Sequence, residues 1–86
     1  MKKGYKEAQK NIEISVGESV RIIRELQALS QAELSKLTNI PQSTISAIEN
    51  GVINLGVERA KVFARALKCH PAILLFPGWE IEKRAA

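Results

Sequence analysis

The sequence predicts an all-α fold of five short helices. Three observations point to it. Apolar residues recur at intervals of three and four in separate stretches, the spacing of one face of an α-helix. No stretch alternates apolar and polar residues as a half-buried strand does. Helix-starting and helix-stopping residues fall between those stretches: Ser30 with Glu33, Asn39 before Pro41, Asn50 before Gly51, and His70 before Pro71.

Residues 1–15 carry Lys2, Lys3, Lys6 and Lys10 against Glu7 and Glu13, with little apolar content before Ile12. They read as a mobile basic arm or as a plain solubility tail. A first helix is expected over residues 17–28, turning Val20, Ile23 and Leu26 inward. Ser30 and Glu33 form a capping box for a second helix, Gln31–Leu37, expected to bury Leu34 and Leu37. In the turn Thr38–Pro41, Asn39 tolerates a positive φ and Pro41 favours the start of a new helix. That third helix spans Gln42–Glu49, buries Ile45 and Ile48, and stops at Asn50–Gly51. After a loop, Val52–Gly56, a fourth helix at Val57–Leu67 presents Ala60, Phe63, Ala64 and Leu67 on one face. His70–Pro71 opens a short fifth helix, Pro71–Phe76, which Pro77–Gly78 ends. Residues 16–78 are therefore expected to be one folded domain, with a tail over residues 79–86. The run Leu74–Trp79 is unusually apolar, so part of it closes the core. Phe76, Trp79 and Ile81 are candidates for a self-association surface, unless they fold back on the first helix.

At 86 residues the chain has room for one small core. With 45% of residues apolar but 5% aromatic, aliphatic side chains must fill it. A core this size is marginal, which leaves self-association open. The net charge of +4 leans toward a polyanionic partner. The single cysteine cannot form an internal disulfide, which fits a reducing cytoplasm. No apolar stretch suggests a signal peptide or a membrane span, so a cytoplasmic protein without membrane contact is expected. Enzyme chemistry has little to work with: one histidine, one cysteine, no aspartate and no glycine-rich phosphate loop. Adjacent Cys69 and His70 lack metal-ligand spacing and read as a core thiol and a helix cap. No catalytic residue, metal or cofactor is expected.

The third helix turns its apolar residues one way and leaves small polar groups on its free face, a shape suited to the major groove of DNA. The residues at issue are Arg24, Leu-Ser-Gln-Ala-Glu-Leu at Leu29–Leu34, Ile-Pro-Gln-Ser-Thr-Ile-Ser-Ala-Ile-Glu-Asn-Gly at Ile40–Gly51, and Ala64 with Leu67. In them the stretch Val16–Phe76 resembles the lambda-repressor-like, Cro/cI-type helix-turn-helix domain. The resemblance implies a compact five-helix domain that binds double-stranded operator DNA, usually as a homodimer, with the third helix for recognition. By position, it implies base contacts from Gln42, Ser43 and Ala47. It implies that Gln31 touches phosphate and braces Gln42, and that Arg24 pairs with Glu49 across helices.

The chemistry of these side chains suits those roles. Gln42 offers a donor and an acceptor together, as adenine N6 and N7 require, and Ala47 can meet a thymine methyl. Ser46 is a further candidate for base edges, and Thr44, Asn54 and Arg21 are candidates for the phosphate backbone. Gln31 and Gln42 also fit a plainer reading as solvated helix-start residues. Between Ser30 and Gly51 the charged residues are Glu33, Lys36 and Glu49, so the basic charge lies elsewhere, and dimerisation or the arm must supply grip on phosphate. The chain departs from the family at Val52-Ile53-Asn54, where Lys or Arg is common. It departs again at Leu55 in place of Pro, Gly56 in place of a capping Ser or Thr, and Lys68 in place of Gly. Three functions remain open: a sequence-specific repressor, an antitoxin that binds a toxin protein and represses its own operon, and a pure protein-interaction module.

Overall fold

Five α-helices follow one another in the computed structural model, which describes residues 14–77: α1 Val16–Leu26, α2 Gln31–Thr38, α3 Gln42–Glu49, α4 Val57–Leu67 and α5 Pro71–Leu75. Among the described residues there is no strand. The proposed basic arm, apart from Ile14 and Ser15, and the tail with Trp79 and Ile81 lie outside the described residues.

Local chemistry sets most of the boundaries. Two capping boxes start α1 and α2. The Ser15 hydroxyl accepts the Glu18 N–H at 3.1 Å while the Glu18 carboxylate accepts the Ser15 N–H at 3.0 Å. Ser30 and Glu33 repeat this at 3.0 and 2.7 Å. α1 thus begins one residue before the expected position and closes at Gln27, where Ala28 turns to a φ of 59°. Asn39 ends α2 in the left-handed region, as its side chain permits. Lys68 does the same after α4, at φ 58° and ψ 46°, in the place where glycine would be unstrained. α5 is opened by Pro71 and by the imidazole of His70, whose Nδ1 accepts the Ala72 N–H at 3.0 Å.

Among the described residues the interior is aliphatic around one aromatic ring. Phe63, Ala60, Ala64 and Leu67 of α4 are buried, at the expected spacing, with Val20, Leu34, Ile45, Ile48, Leu55 and Leu74. Two expectations fail. Leu26 is 76% exposed and Leu37 60% exposed. Six residues separate Leu26 from Val20, a rotation of about 120° away from the inward stripe at 3.6 residues per turn. Beside Val20, the inward positions of α1 belong to Gly17, Ser19 and Arg24. Leu37 lies at the last turn of α2, where Leu34 alone reaches the core. α5 ends at Leu75, so Phe76 stands beyond the helix and is exposed.

Gly17 lets α1 approach α3 closely: a Cβ there would overlap the backbone carbonyl oxygens of Ile48 and Glu49. Ser19 ties α1 to α5, its hydroxyl lying 2.8 Å from the Val16 carbonyl and 2.9 Å from that of Leu74. Cys69 is half-buried against the core, and burial pushes its thiol pKa up. Among the described residues no helix is long and apolar enough to cross a membrane.

Candidate nucleic-acid interface

The turn between α2 and α3 is fixed by side chains bonding to backbone. Thr38 Oγ1 donates to the Leu34 carbonyl at 2.7 Å and accepts the Ile40 N–H at 3.2 Å. Ser35 Oγ donates to the Ile40 carbonyl at 2.6 Å. With Asn39 left-handed and Pro41 holding its own φ at −57°, the chain turns sharply into α3. No side chain caps this helix. The N–H groups of Gln42 and Ser43 have no helical carbonyl behind them, so they are available to an anion.

α3 divides cleanly. Ile45, Ile48 and Glu49 face inward. Ser43, Ser46 and Ala47, spaced three and four apart, share the opposite side, Ser43 exposed and Ser46 and Ala47 half-buried, and Gln42 stands exposed at the helix start. Thr44 is half-buried on the flank. One residue that sequence reading treated only as a stop joins this row. Asn50, a turn beyond Ser46, donates from Nδ2 to Ser46 Oγ at 3.4 Å and is exposed. Its spacing of four from Ser46 was the available signal.

The far end of the helix is also fixed. The Ala47 carbonyl accepts the N–H groups of Val52 and Ile53, at 2.8 and 3.2 Å, and Gly51 takes a φ of 78° to allow it. Asn54 sits exposed on the loop that follows. It lines a cleft of about 380 Å³ between the start of α1 and the end of α3, with Ser15 and Gly17 among its walls. Arg21 is exposed on α1.

Behind the row lies a buried polar network. Arg24 donates from Nε to Glu49 Oε2 at 2.7 Å and from Nη2 to Glu49 Oε1 at 2.9 Å. Its Nη1 donates to the Leu29 carbonyl at 2.8 Å. The two side chains are only 10% and 2% exposed. The hydrogen bond to Glu49, against the opposing effect of burial, holds the guanidinium pKa above its ordinary value. Gln31 joins from the first residue of α2, its Nε2 donating to Glu49 Oε1 at 3.0 Å. The structure therefore binds Gln31 to the ion pair, where the resemblance implied a brace for Gln42. α1, the start of α2 and the end of α3 meet on one carboxylate. Among the described residues no group of three His, Cys, Asp or Glu side chains is placed to hold a metal ion.

Comparison with known proteins fits this geometry. The helix-turn-helix family profile matches residues 20–74. The P22 c2 repressor in complex with synthetic operator 9T in the presence of Tl+ aligns with a TM-score of 0.69 at 28% identity, covering 74% of this chain and 97% of that one. The restriction-modification controller protein C.AhdI from Aeromonas hydrophila aligns at 0.67 and 28% identity, covering 70% and 91%. The solution structure of the P22 c2 repressor DNA-binding domain aligns at 0.67 and 28% identity, covering 74% and 83%. No curated protein matches the chain significantly in sequence.

Proposed function

The chain belongs to the helix-turn-helix family and is a DNA-binding transcriptional regulator, and we propose that it is a cytoplasmic repressor that reads operator DNA with α3 in the major groove. The observation that supports this reading is the outward row of Gln42, Ser43, Ser46 and Ala47 on a helix held at both ends. Gln42 reads an adenine through N6 and N7, Ser43 and Ser46 bond neighbouring base edges, and Ala47 leaves room for a thymine methyl. The Gln42 and Ser43 N–H groups, Gln31, Thr44, Asn54 and Arg21 hold the phosphate backbone. The neighbouring P22 c2 repressor was solved on operator DNA, which supports the same partner here.

The reading row contains no cation, so a single copy gains little from phosphate neutralisation. Two copies on half-sites about one helical turn apart offset this, and a homodimer on a two-fold operator is part of the proposal. The antitoxin reading draws no specific support from the site.

The test is selection of bound sequences from a random DNA pool, with wild-type protein and with Gln42→Ala. The expected result is a defined site for the wild type and relaxed preference at one position per half-site for the variant, at a cost of about 1–3 kcal/mol. Identical selected sites from the two proteins refute the role of Gln42. No enrichment by the wild type refutes the repressor reading.

A further inference from the structure

Between α1 and α5 the surface opens into an apolar groove of about 280 Å³, walled by Ile14, Ile22, Ile23, Ile73, Phe76 and Pro77. Its one polar wall group, Ser19, already spends its hydroxyl on the carbonyls of Val16 and Leu74. Nothing in the groove asks for a polar ligand.

We propose that this groove is the seat of the chain's own C-terminal tail, with the indole of Trp79 as occupant. The tail leaves from Pro77, which is itself a wall of the groove. Two residues of extended chain span at most about 7 Å, so Trp79 is tethered within reach of the groove. Trp79 is the only tryptophan in the sequence and its largest side chain. A second copy of the chain is the weaker candidate on two grounds. A stable pair of chains buries on the order of 1,200–2,000 Å², with about 20–30 residues a side, whereas seven residues line this groove. And a short tether presents its own group at an effective concentration of about millimolar, which a free copy must exceed to compete. Seating Trp79 covers Ile73 and Phe76, which α5 otherwise leaves exposed. It also pins α5 to α1 beside the Ser19–Leu74 bond. This inference does not depend on the operator reading.

The single tryptophan gives the measurement. In the full-length protein, emission position and iodide quenching of Trp79 are followed across a dilution series, with sedimentation on the same samples. The expected result is a blue-shifted, shielded indole that does not change as the protein is diluted to monomer. Ile73→Ser should shift the emission to the red and raise quenching severalfold, while Leu26→Ser, an exposed residue that is not a wall of the groove, leaves both unchanged. If Ile73→Ser loses its helical signal, Phe76→Ser replaces it. Trp79→Ala in the full chain should increase binding of a hydrophobic dye. Shielding that disappears as dimers dissociate overturns the proposal in favour of a second copy. An indole quenched like a free peptide at every concentration overturns it, and so does a shielded indole indifferent to both groove variants.

Discussion

Replacing Glu49 by alanine tests the reasoning about the interface at its deepest point. The substitution removes the acceptor of two Arg24 hydrogen bonds, at 2.7 and 2.9 Å, and that of Gln31 at 3.0 Å. The guanidinium, in a residue only 8% exposed, keeps one partner, the Leu29 carbonyl. Breaking a buried pair by removing one member leaves an uncompensated charge and costs about 3–5 kcal/mol. A small domain has roughly 5–15 kcal/mol in total, and each kcal/mol moves its Tm by about 4–8 °C. The variant should therefore melt at least about 12 °C below the wild type, and it should bind operator more weakly even where it remains folded. Arg24→Met combined with Glu49→Leu should recover most of the loss, because apolar residues of similar volume remove both charges together. Circular-dichroism melts and urea titrations of the single and double variants decide the matter. A single-variant loss below about 1 kcal/mol, the worth of a solvent-exposed pair, would show that the network is not desolvated as its geometry requires.

Other positions give independent checks. Gly17→Ala should lower the Tm although alanine favours helix by about 1 kcal/mol, because its Cβ meets two backbone carbonyls that cannot yield. Gly56→Ser, where nothing lies within 4 Å, should instead gain a few tenths of a kcal/mol by capping α4, and equal effects at the two glycines would refute the contrast. Lys68→Gly relieves a left-handed backbone and should raise stability by about 0.5–1 kcal/mol in a thermal melt. At Glu33 the Ser30 N–H and hydroxyl hold the carboxyl pKa below its ordinary 4.5. A depressed folded pKa stabilises above the unfolded value, and that contribution fades as pH falls through the folded one. The stability gap between wild type and Glu33→Gln should thus be constant above pH 4.5 and close below it. A gap that widens on acidification would contradict the capping geometry.

The sequence made legible whatever depends on local chemistry. The Ser30–Glu33 box, the left-handed Asn39, the His70 cap and the four inward residues of α4 each follow from a spacing of seven residues or fewer. What stayed hidden depends on where helices cross. Leu26 looked buried because it is apolar and falls three residues after Ile23, yet the crossing of α1 on α3 selects the side that holds Gly17 and Arg24. A search for apolar residues passes over a glycine, a serine and an arginine, and these three occupy inward positions of α1. Ser15 was recoverable, since Ser15 and Glu18 have the spacing already read at Ser30 and Glu33. In the reading row, Gln42, Ser43 and Ala47 were visible as a face of α3. The bond from Gln31 to Glu49 was not, because eighteen residues separate the partners and only the packing of α2 on α3 brings them together.

If α3 reads operator DNA as proposed, a row without a cation makes the mounting of α3 matter more than it would if that row were basic. Base contacts contribute about 1–3 kcal/mol each when geometry is right and little when it is not, whereas attraction to phosphate falls off gently with distance and tolerates a loose fit. A regulator rich in lysine at this face keeps affinity when its helix shifts, and loses only selectivity. This chain has no such reserve between Ser30 and Gly51, where one lysine faces two glutamates. On the proposed reading, its affinity and its selectivity therefore depend on the same few contacts. That dependence gives a physical reason for the devices packed behind α3: the Arg24–Glu49–Gln31 network, the close approach at Gly17, and the loop locked to the Ala47 carbonyl. A lysine at Val52, exposed on that loop, would add attraction to any DNA, and so would raise affinity for the operator and for random sequence together while leaving their ratio unchanged.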